Sequence, residues 1–297
     1  MRDPYILADA ENEMYYLYNA ASQRNGAGQN LGGVAVYKSK DLKMWEGPTQ
    51  VFTVPEDNYV TGAVWAPEVH KYQGRYYLFA TLNSGNVWKR KKDDWPAYTF
   101  RCTQIFHSDS PEGPFMPFER RLPHTPIDYM ALDGTFWVED GLPYMVFCHE
   151  WVQMPDGDGT MEVVQLTSDL SAPVGQPVRL FCGSAAPWSW VGTNSITDGC
   201  FLYRTKTDRL LMIWSGFSNE GYAIGIAESA TGKIFGPWRQ QTEPLFNSDG
   251  GHGSLFKTFD GKLCIVFHQP NSGREIRPHI YELEDTGETL TVKQEIN

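Results

Sequence analysis

A fivefold internal repeat constrains the fold of this chain more than any other feature of its sequence. Each copy enters a strand from a polar or aromatic residue, turns at Gly or Asp, and returns as an aromatic-rich strand. The copies begin at Asp3, Trp65, Asp133, Asp198 and His252. Because self-similarity of this kind is the signature of repeat architectures, we expect a set of equivalent structural units packed against one another.

A second signature lies within each of the first four intervals, where a strand ends near Ser-x-Asp-Leu or a variant and Gly-Pro follows. Residues 34–48 (VAVYKSKDLKMWEGP) and 224–238 (IGIAESATGKIFGPW) are two examples. Each unit therefore holds about four strands, which is the content of a propeller blade. We predict an all-β, five-bladed β-propeller forming a single domain over residues 1–297. The alternative, a two-sheet sandwich, predicts regular turns but not this fivefold order of motifs.

Charge and cysteine spacing exclude several classes of function. The net charge of -11 argues against a nucleic-acid partner, since such binding depends on Lys and Arg neutralising phosphates. The basic cluster at 89–92 is followed by Asp93 and Asp94 and is expected to be a solvated loop. Five widely separated cysteines match no zinc or redox motif.

Targeting signals are scarce in the sequence. No apolar run reaches the length of a membrane span, so membrane insertion is not expected. The chain opens at a strand signal without a signal peptide. Its localisation stays open, with a periplasmic or extracellular location favoured if a targeting segment has been removed.

Three aspartates occupy the same place in units one, three and four. In a propeller the innermost strand of every blade lines the axis, so Asp3, Asp133 and Asp198 are predicted to surround one pocket. Cleavage of a glycosidic bond needs such a group: a carboxylate that activates water, a carboxyl that protonates the leaving oxygen, and a neighbouring charge that keeps the acid protonated. The alternative interpretation of Asp198-Gly199 is an ordinary turn that opens a strand.

Several motifs in a fixed order carry a resemblance to a known family. They are RDPYI (2–6), WAPEV (65–69), LDGTFWVEDG (132–141), TDGCFLY (197–203), GGHGSLF (250–256) and SGRE (272–275). Together they resemble the motifs of glycoside hydrolase family 43 from the first unit to the fifth. The resemblance implies a five-bladed propeller that hydrolyses arabinose- or xylose-containing glycans with inversion. It also implies that Asp3 is the general base, that Asp133 orients the acid and raises its pKa, and that Asp198 is the general acid.

The acid motif departs from the family pattern. The family usually has Glu-Gly-Pro where this chain has Asp198-Gly199-Cys200. Aspartate is one methylene shorter, so an unchanged backbone would hold the carboxyl roughly 1.5 Å farther from the bond, where small misplacements slow the reaction severely. Either the pocket is shaped for Asp198, or the acid is Glu150 or Glu220, or the activity is altered or lost.

His252 begins the fifth unit and is also expected to point to the axis. The resemblance implies a hydrated cation beside it, commonly calcium, although no cofactor is required for the proposed chemistry. Imidazole is a poor calcium ligand, so such an ion would need water ligands. The alternative is a histidine that is hydrogen-bonded to Asp133 or to other axial groups.

Several aromatic rings and one arginine are candidates for sugar binding. Trp65, Trp188 and Trp190 stand where their rings could stack on sugar faces, although a buried core position is the commoner place for any single ring. Arg274 could donate a forked pair of hydrogen bonds to sugar hydroxyls or to a catalytic carboxylate. Its alternative is a surface salt bridge.

These observations favour an inverting, exo-acting glycosidase of the arabinofuranosidase or xylosidase type, acting on plant polysaccharides or oligosaccharides. The loop at 83–100 and the Trp188 loop are expected to close one end of the pocket. Two alternatives remain. A retaining fructan hydrolase would open with Asn-Asp-Pro and carry a Glu-Cys acid motif, both absent here. A carbohydrate-binding propeller with decayed catalytic machinery would have no turnover for Asp198→Asn to remove. The oligomeric state is left open.

Overall fold

A computed structural model describes residues 1–24, 30–90, 95–190, 192 and 194–296. Within these residues the chain forms five four-stranded sheets, each made from one continuous segment. The predicted five-bladed β-propeller is therefore confirmed. The helical content of the described ranges is two short 3₁₀ turns, at Trp151–Gln153 and Gly183–Ala185. Neither is long or apolar enough to cross a bilayer. Residues 91–94 of the predicted solvated loop lie outside the described residues.

The strands of the blades follow one another in chain order. Blade one contains β1 (Tyr5–Asp9), β2 (Met14–Arg24), β3 (Asn30–Ser39) and β4 (Glu46–Thr53). Blade two contains β5 (Ala63–Tyr72), β6 (Arg75–Lys89), β7 (Tyr98–Ser108) and β8 (Met116–Pro117). Blade three contains β9 (Ala131–Glu139), β10 (Leu142–His149), β11 (Thr160–Leu166) and β12 (Pro173–Cys182). Blade four contains β13 (Asp198–Arg204), β14 (Leu210–Ser218), β15 (Gly221–Ser229) and β16 (Trp238–Gln240). Blade five contains β17 (Gly251–Lys257), β18 (Leu263–Gln269), β19 (Arg277–Asp285) and β20 (Leu290–Glu295).

Burial falls from the middle of each blade to its outer edge. The second strand β10 is buried at seven of its eight positions, whereas the outer strand β12 is buried at one of ten. Both faces of a central strand are covered by neighbouring blades, which explains why the second strands read as continuous apolar runs without alternation. The aromatic residues that marked the repeat thus form the layers between blades.

Five hydrophobic clusters join the blades pairwise into a ring. Between blades one and two, for example, Tyr16 packs in the same cluster as Leu78. Equivalent clusters lie between blades two and three, three and four, and four and five. A fifth cluster brings Ile6 of blade one together with Val266 of blade five. Because β20 stays in the sheet of blade five, no strand of the described residues is shared across this last junction, which is closed by side-chain packing and by hydrogen bonds from the backbone of Met1 and Asp3.

In each blade, a residue at or beside the start of the first strand, next to the central axis, has a left-handed backbone conformation. These residues are Asp3 (φ 48°), Ala66 (φ 41°), Asp133 (φ 56°), Gly199 (φ 48°) and His252 (φ 58°). The strand pairing shifts register next to this point in blades two to five. A bulge of this kind re-aims a side chain, and a non-glycine residue with positive φ is a strained conformation that concentrates at functional sites. The bulges therefore direct the axial side chains.

Candidate active site

The described axial residues surround a cavity of about 490 Å³ at one end of the ring. The lining includes Asp3, Asp133, Asp198 and His252, from four different blades. The structure thus brings the three predicted carboxylates to one cavity. Asp133 and His252 are buried, and Asp3 and Asp198 are partly exposed to the cavity. The repeat predicted this convergence although the three aspartates are far apart in the sequence.

The expected equivalence of the three aspartates is wrong by one residue in blade four. Asp3 and Asp133 are the left-handed residues of their blades, but the left-handed residue of blade four is Gly199. Asp198 lies one position earlier and pairs with Ser215 across β13 and β14. A side chain at 199 would have no room, because its Cβ would lie 2.9 Å from Cγ of His252. Blade four therefore supplies its carboxylate from the residue before the bulge.

Asp3 is held by two imidazole rings of blade five. Its Oδ1 lies 3.2 Å from Nδ1 of His268 and 3.5 Å from Nδ1 of His252. Burial alone would raise the pKa of Asp3, but electrostatic attraction to His252 and the hydrogen bond with His268 outweigh burial and lower this pKa to about 2. Asp3 is therefore a carboxylate throughout the neutral range.

Asp133 is the most enclosed of the three carboxyl groups. Its Oδ2 accepts a hydrogen bond from the backbone N–H of Gly199 at 3.0 Å and lies 3.7 Å from Nδ1 of His252. Its own N–H donates to Oγ1 of Thr81 at 2.8 Å. Burial and the negative charge of Asp3 raise the pKa of Asp133 to about 7. The hydrogen bond to Gly199 fixes the backbone immediately after Asp198.

Asp198 has the properties of a proton donor. Burial, followed by the charge of Asp133, raises the pKa of Asp198 to about 7. The hydroxyl of Tyr222 donates to its Oδ2 at 3.1 Å, which partly opposes this rise. Tyr222 is itself buried and stacks on His268, which contacts Asp3. One side of the cavity thus favours a carboxylate and the other favours a protonated carboxyl.

A wall of the cavity is built around Arg101, which the sequence did not single out. The guanidinium lies over the ring of Trp65, 4.5 Å from its centroid, and donates to Oδ1 of Asn83 at 2.9 Å. It also forms a short ion pair with Glu150, which lines the cavity. Trp65 is 37% exposed, so its other surface can meet a ligand. Glu150 therefore lies at the cavity with Arg101 as its ionic partner, and its role as an alternative acid stays a prediction.

Two of the predicted sugar-binding residues lie outside the described lining of the cavity. Trp188 is 8% exposed and packs against Trp214, with ring centroids 4.7 Å apart, because its loop folds back onto the core between blades three and four. Its ring therefore offers no open face. Arg274 is exposed and lies outside the described lining of the cavity. Arg2, which the opening motif contained, lines the cavity instead.

The other two predicted tryptophans line different cavities. Trp65 lines the axial cavity, whereas Trp190 is 44% exposed and lines a second cavity beside it. Glu220 is exposed and accepts a hydrogen bond from Asn247 at 3.2 Å.

Within the described ranges, no group of three His, Cys, Asp or Glu side chains is arranged to hold a metal ion. A hydrated cation beside His252 stays a prediction.

Comparison with known proteins places this geometry in a family. The profile of glycosyl hydrolases family 43 matches residues 1–290, and the chain belongs to that family. A solved structure described as an endo-arabinase from Bacteroides thetaiotaomicron is 38% identical, with a TM-score of 0.81, covering 96% of this chain and 94% of that one.

Curated relatives are more distant. Alpha-L-arabinofuranosidase 43 from Humicola insolens is 22% identical over 73% of this chain and 44% of its own length. An extracellular exo-alpha-(1->5)-L-arabinofuranosidase from Streptomyces avermitilis is 21% identical over 75% of this chain and 46% of its own length. The chain thus spans less than half the length of these relatives.

Proposed function

We propose that this chain is an inverting glycosidase that cleaves arabinofuranosyl linkages in arabinose-containing glycans. The observation that carries the proposal is that Asp3 and Asp198 line one cavity in surroundings that shift their pKa values in opposite directions. The pKa of Asp3 is lowered to about 2 and that of Asp198 is raised to about 7. A base and an acid therefore coexist between these values, as hydrolysis requires. The names of the family relatives support arabinose over xylose as the first sugar to test.

The reaction follows from these two states. Asp3 accepts a proton from a water molecule as the water oxygen attacks the anomeric carbon. Asp198 donates its proton to the glycosidic oxygen as the bond between that oxygen and the anomeric carbon breaks. The product is a sugar with inverted anomeric configuration and a free alcohol. Asp198 then regains a proton from water and Asp3 releases one.

Asp133 acts as a positioning residue in this scheme. Its carboxyl holds the N–H of Gly199, next to the acid, and a negative charge there raises the pKa of Asp198. Asp198 itself precedes the left-handed residue of blade four and pairs with Ser215. Tyr222 fixes one oxygen of the acid and leaves the other free to carry the proton.

The position of cleavage along the glycan has two candidates. Release of single sugars from chain ends is the first, and the exo-acting Streptomyces avermitilis relative supports it. Internal cleavage is the second, because the 38% identical relative is described as an endo-arabinase. Chromatography of products from linear arabinan separates them. An exo enzyme gives arabinose from the first minutes, whereas an endo enzyme gives a ladder of oligosaccharides.

The proposal is tested with aryl α-L-arabinofuranosides, β-D-xylosides and β-D-galactosides. We expect the first to be cleaved, with inversion seen by proton NMR. Asp198→Asn should lower kcat by a factor of about 10² to 10⁴ when the leaving group is a sugar, and much less when it is dinitrophenol, which needs no proton. Asp208→Asn, at a site 85% exposed, is the matched control and should change neither rate. Retention of configuration, or equal losses on both substrates, would contradict the proposal.

A further inference from the structure

A second cavity adjoins the catalytic one on the side of blade four. It has a volume of about 410 Å³, within the range of small-ligand sites. Ile196 lines both cavities, so they meet at this residue. The second cavity lies between the segment before β13 and the turn after β14, and Trp190 and Phe217 contribute its two rings. The N–H of Trp190 donates to the carbonyl of Phe217 at 2.8 Å and ties these segments together.

The location of the second cavity assigns it to one side of the reaction. The ring of Phe217 packs 5.1 Å from that of Tyr222, whose hydroxyl binds Asp198. Asp3 instead contacts His268 and His252 of blade five. The general acid meets the leaving oxygen, and the base meets the attacking water on the opposite side of the sugar. A group bonded to the leaving oxygen would therefore extend past Ile196 into the second cavity.

The lining of the second cavity suits an uncharged sugar. Among the described residues it contains no charged side chain, which disfavours uronic acids and phosphates. The indole of Trp190 is 44% exposed and crosses directly over Gly192, where any side chain would overlap the ring. Hydroxyl and amide groups of Ser189, Ser195 and Asn219 surround the rings. Aromatic surfaces with a few polar groups match a ring that is apolar on its faces and hydroxylated at its rim.

We propose that the second cavity binds the neutral sugar unit on the leaving-group side of the scissile bond, with Trp190 as its stacking surface. This inference rests on the proposed function, since that function defines which side is the leaving side. It makes the enzyme selective for oligosaccharides over monosaccharide derivatives with small leaving groups. The binding energy of the leaving sugar then contributes to kcat/KM for the natural linkage.

The test compares kcat/KM for α-1,5-linked arabinotriose with that for methyl α-L-arabinofuranoside, whose leaving group is too small to stack on Trp190. Loss of an aromatic stacking contact of about 1 kcal/mol or more corresponds to a factor of about five or more. Trp190→Ala should therefore lower the ratio of the triose value to the methyl glycoside value at least fivefold. Phe235→Ala is the control, because this ring is 52% exposed and contacts Tyr144, away from both cavities. It should leave the ratio unchanged. An unchanged ratio in Trp190→Ala would overturn the inference.

A binding measurement separates this inference from the proposed function. Arabinotriose is titrated calorimetrically into Asp198→Asn and into the double variant Asp198→Asn/Trp190→Ala. At least fivefold weaker binding in the double variant supports the second cavity even if the unsubstituted protein hydrolyses nothing, in which case the hydrolase proposal alone fails. Equal affinities would refute the cavity even if hydrolysis is observed.

Discussion

Replacing Tyr222 by Phe removes one hydroxyl from the candidate active site and keeps the ring. That hydroxyl donates to Oδ2 of Asp198 at 3.1 Å and so stabilises the carboxylate more than the neutral carboxyl. A hydrogen bond to a charged group contributes about 1.5 kcal/mol or more, and about 1.4 kcal/mol corresponds to one pKa unit. We therefore expect the pKa of Asp198 to rise by about one unit in Tyr222→Phe.

The assay is the pH dependence of kcat/KM on an arabino-oligosaccharide. The alkaline limb reports loss of the proton from the acid, or from the coupled pair of Asp133 and Asp198. It should move up by about one pH unit in Tyr222→Phe, whereas the acidic limb, which belongs to Asp3, should stay in place. Tyr203→Phe is a matched control because it removes a 3.0 Å tyrosine–carboxylate hydrogen bond to Asp285, outside the cavity. An alkaline limb that stays in place or moves down would refute the reasoning.

Three further predictions follow from the same geometry. Asp133→Asn removes the charge that raises the pKa of Asp198, so the alkaline limb of the pH–rate profile should move to lower pH and kcat should fall. Gly199→Ala places a Cβ against His252, whereas the control Gly141→Ala also has a positive φ but has open space around it. In urea denaturation, Gly199→Ala should lose about 1 kcal/mol or more of unfolding free energy beyond the loss in Gly141→Ala. The pKa values of Asp133 and Asp198 are higher in the folded protein than in the unfolded chain, so protonation of these groups favours folding. Their contribution to the unfolding free energy should therefore decline as the pH rises from about 4 to about 7. Asp198→Asn should therefore be more stable than the unsubstituted protein at pH 8, by an amount on the order of 2 kcal/mol, and an equal or lower midpoint in urea would contradict this.

The sequence predicted the fold well because each blade is local. A hairpin and its outer strands repeat with recognisable turns, so five copies specify five sheets and the convergence of Asp3 and Asp133 on the axis. The position of Asp198 shows the limit of this reasoning. The motif aligned Asp198 with the other aspartates, but the bulge that sets the axial direction falls on Gly199. A one-residue shift within a strand leaves no trace in the pattern of apolar residues.

Contacts between non-adjacent strands and between blades were the least predictable part of the site. Tyr222 and Arg101 lie in the second half of their blades, where the sequence reads as ordinary strand. Their partners Asp198 and Glu150 come from other strands or blades, so no spacing along the chain reveals them. The buried position of Trp188 was unpredictable for a similar reason, since a tryptophan in a loop has the same sequence signature whether its ring faces solvent or packs against the core. Arg2 in the opening motif and Asn19 in β2 were identified as lining residues only through the cavity that they share.

The junction between blades one and five has a consequence for thermal inactivation. No strand of the described residues bridges this seam, and the carboxylate of Asp3 meets its two imidazole partners across it. Transient separation of the two blades would remove Asp3 from these partners while every blade kept its hydrogen-bonded ladder. Heating should therefore extinguish turnover before circular dichroism registers any loss of β-structure, and deuterium uptake should begin at β1 and β17.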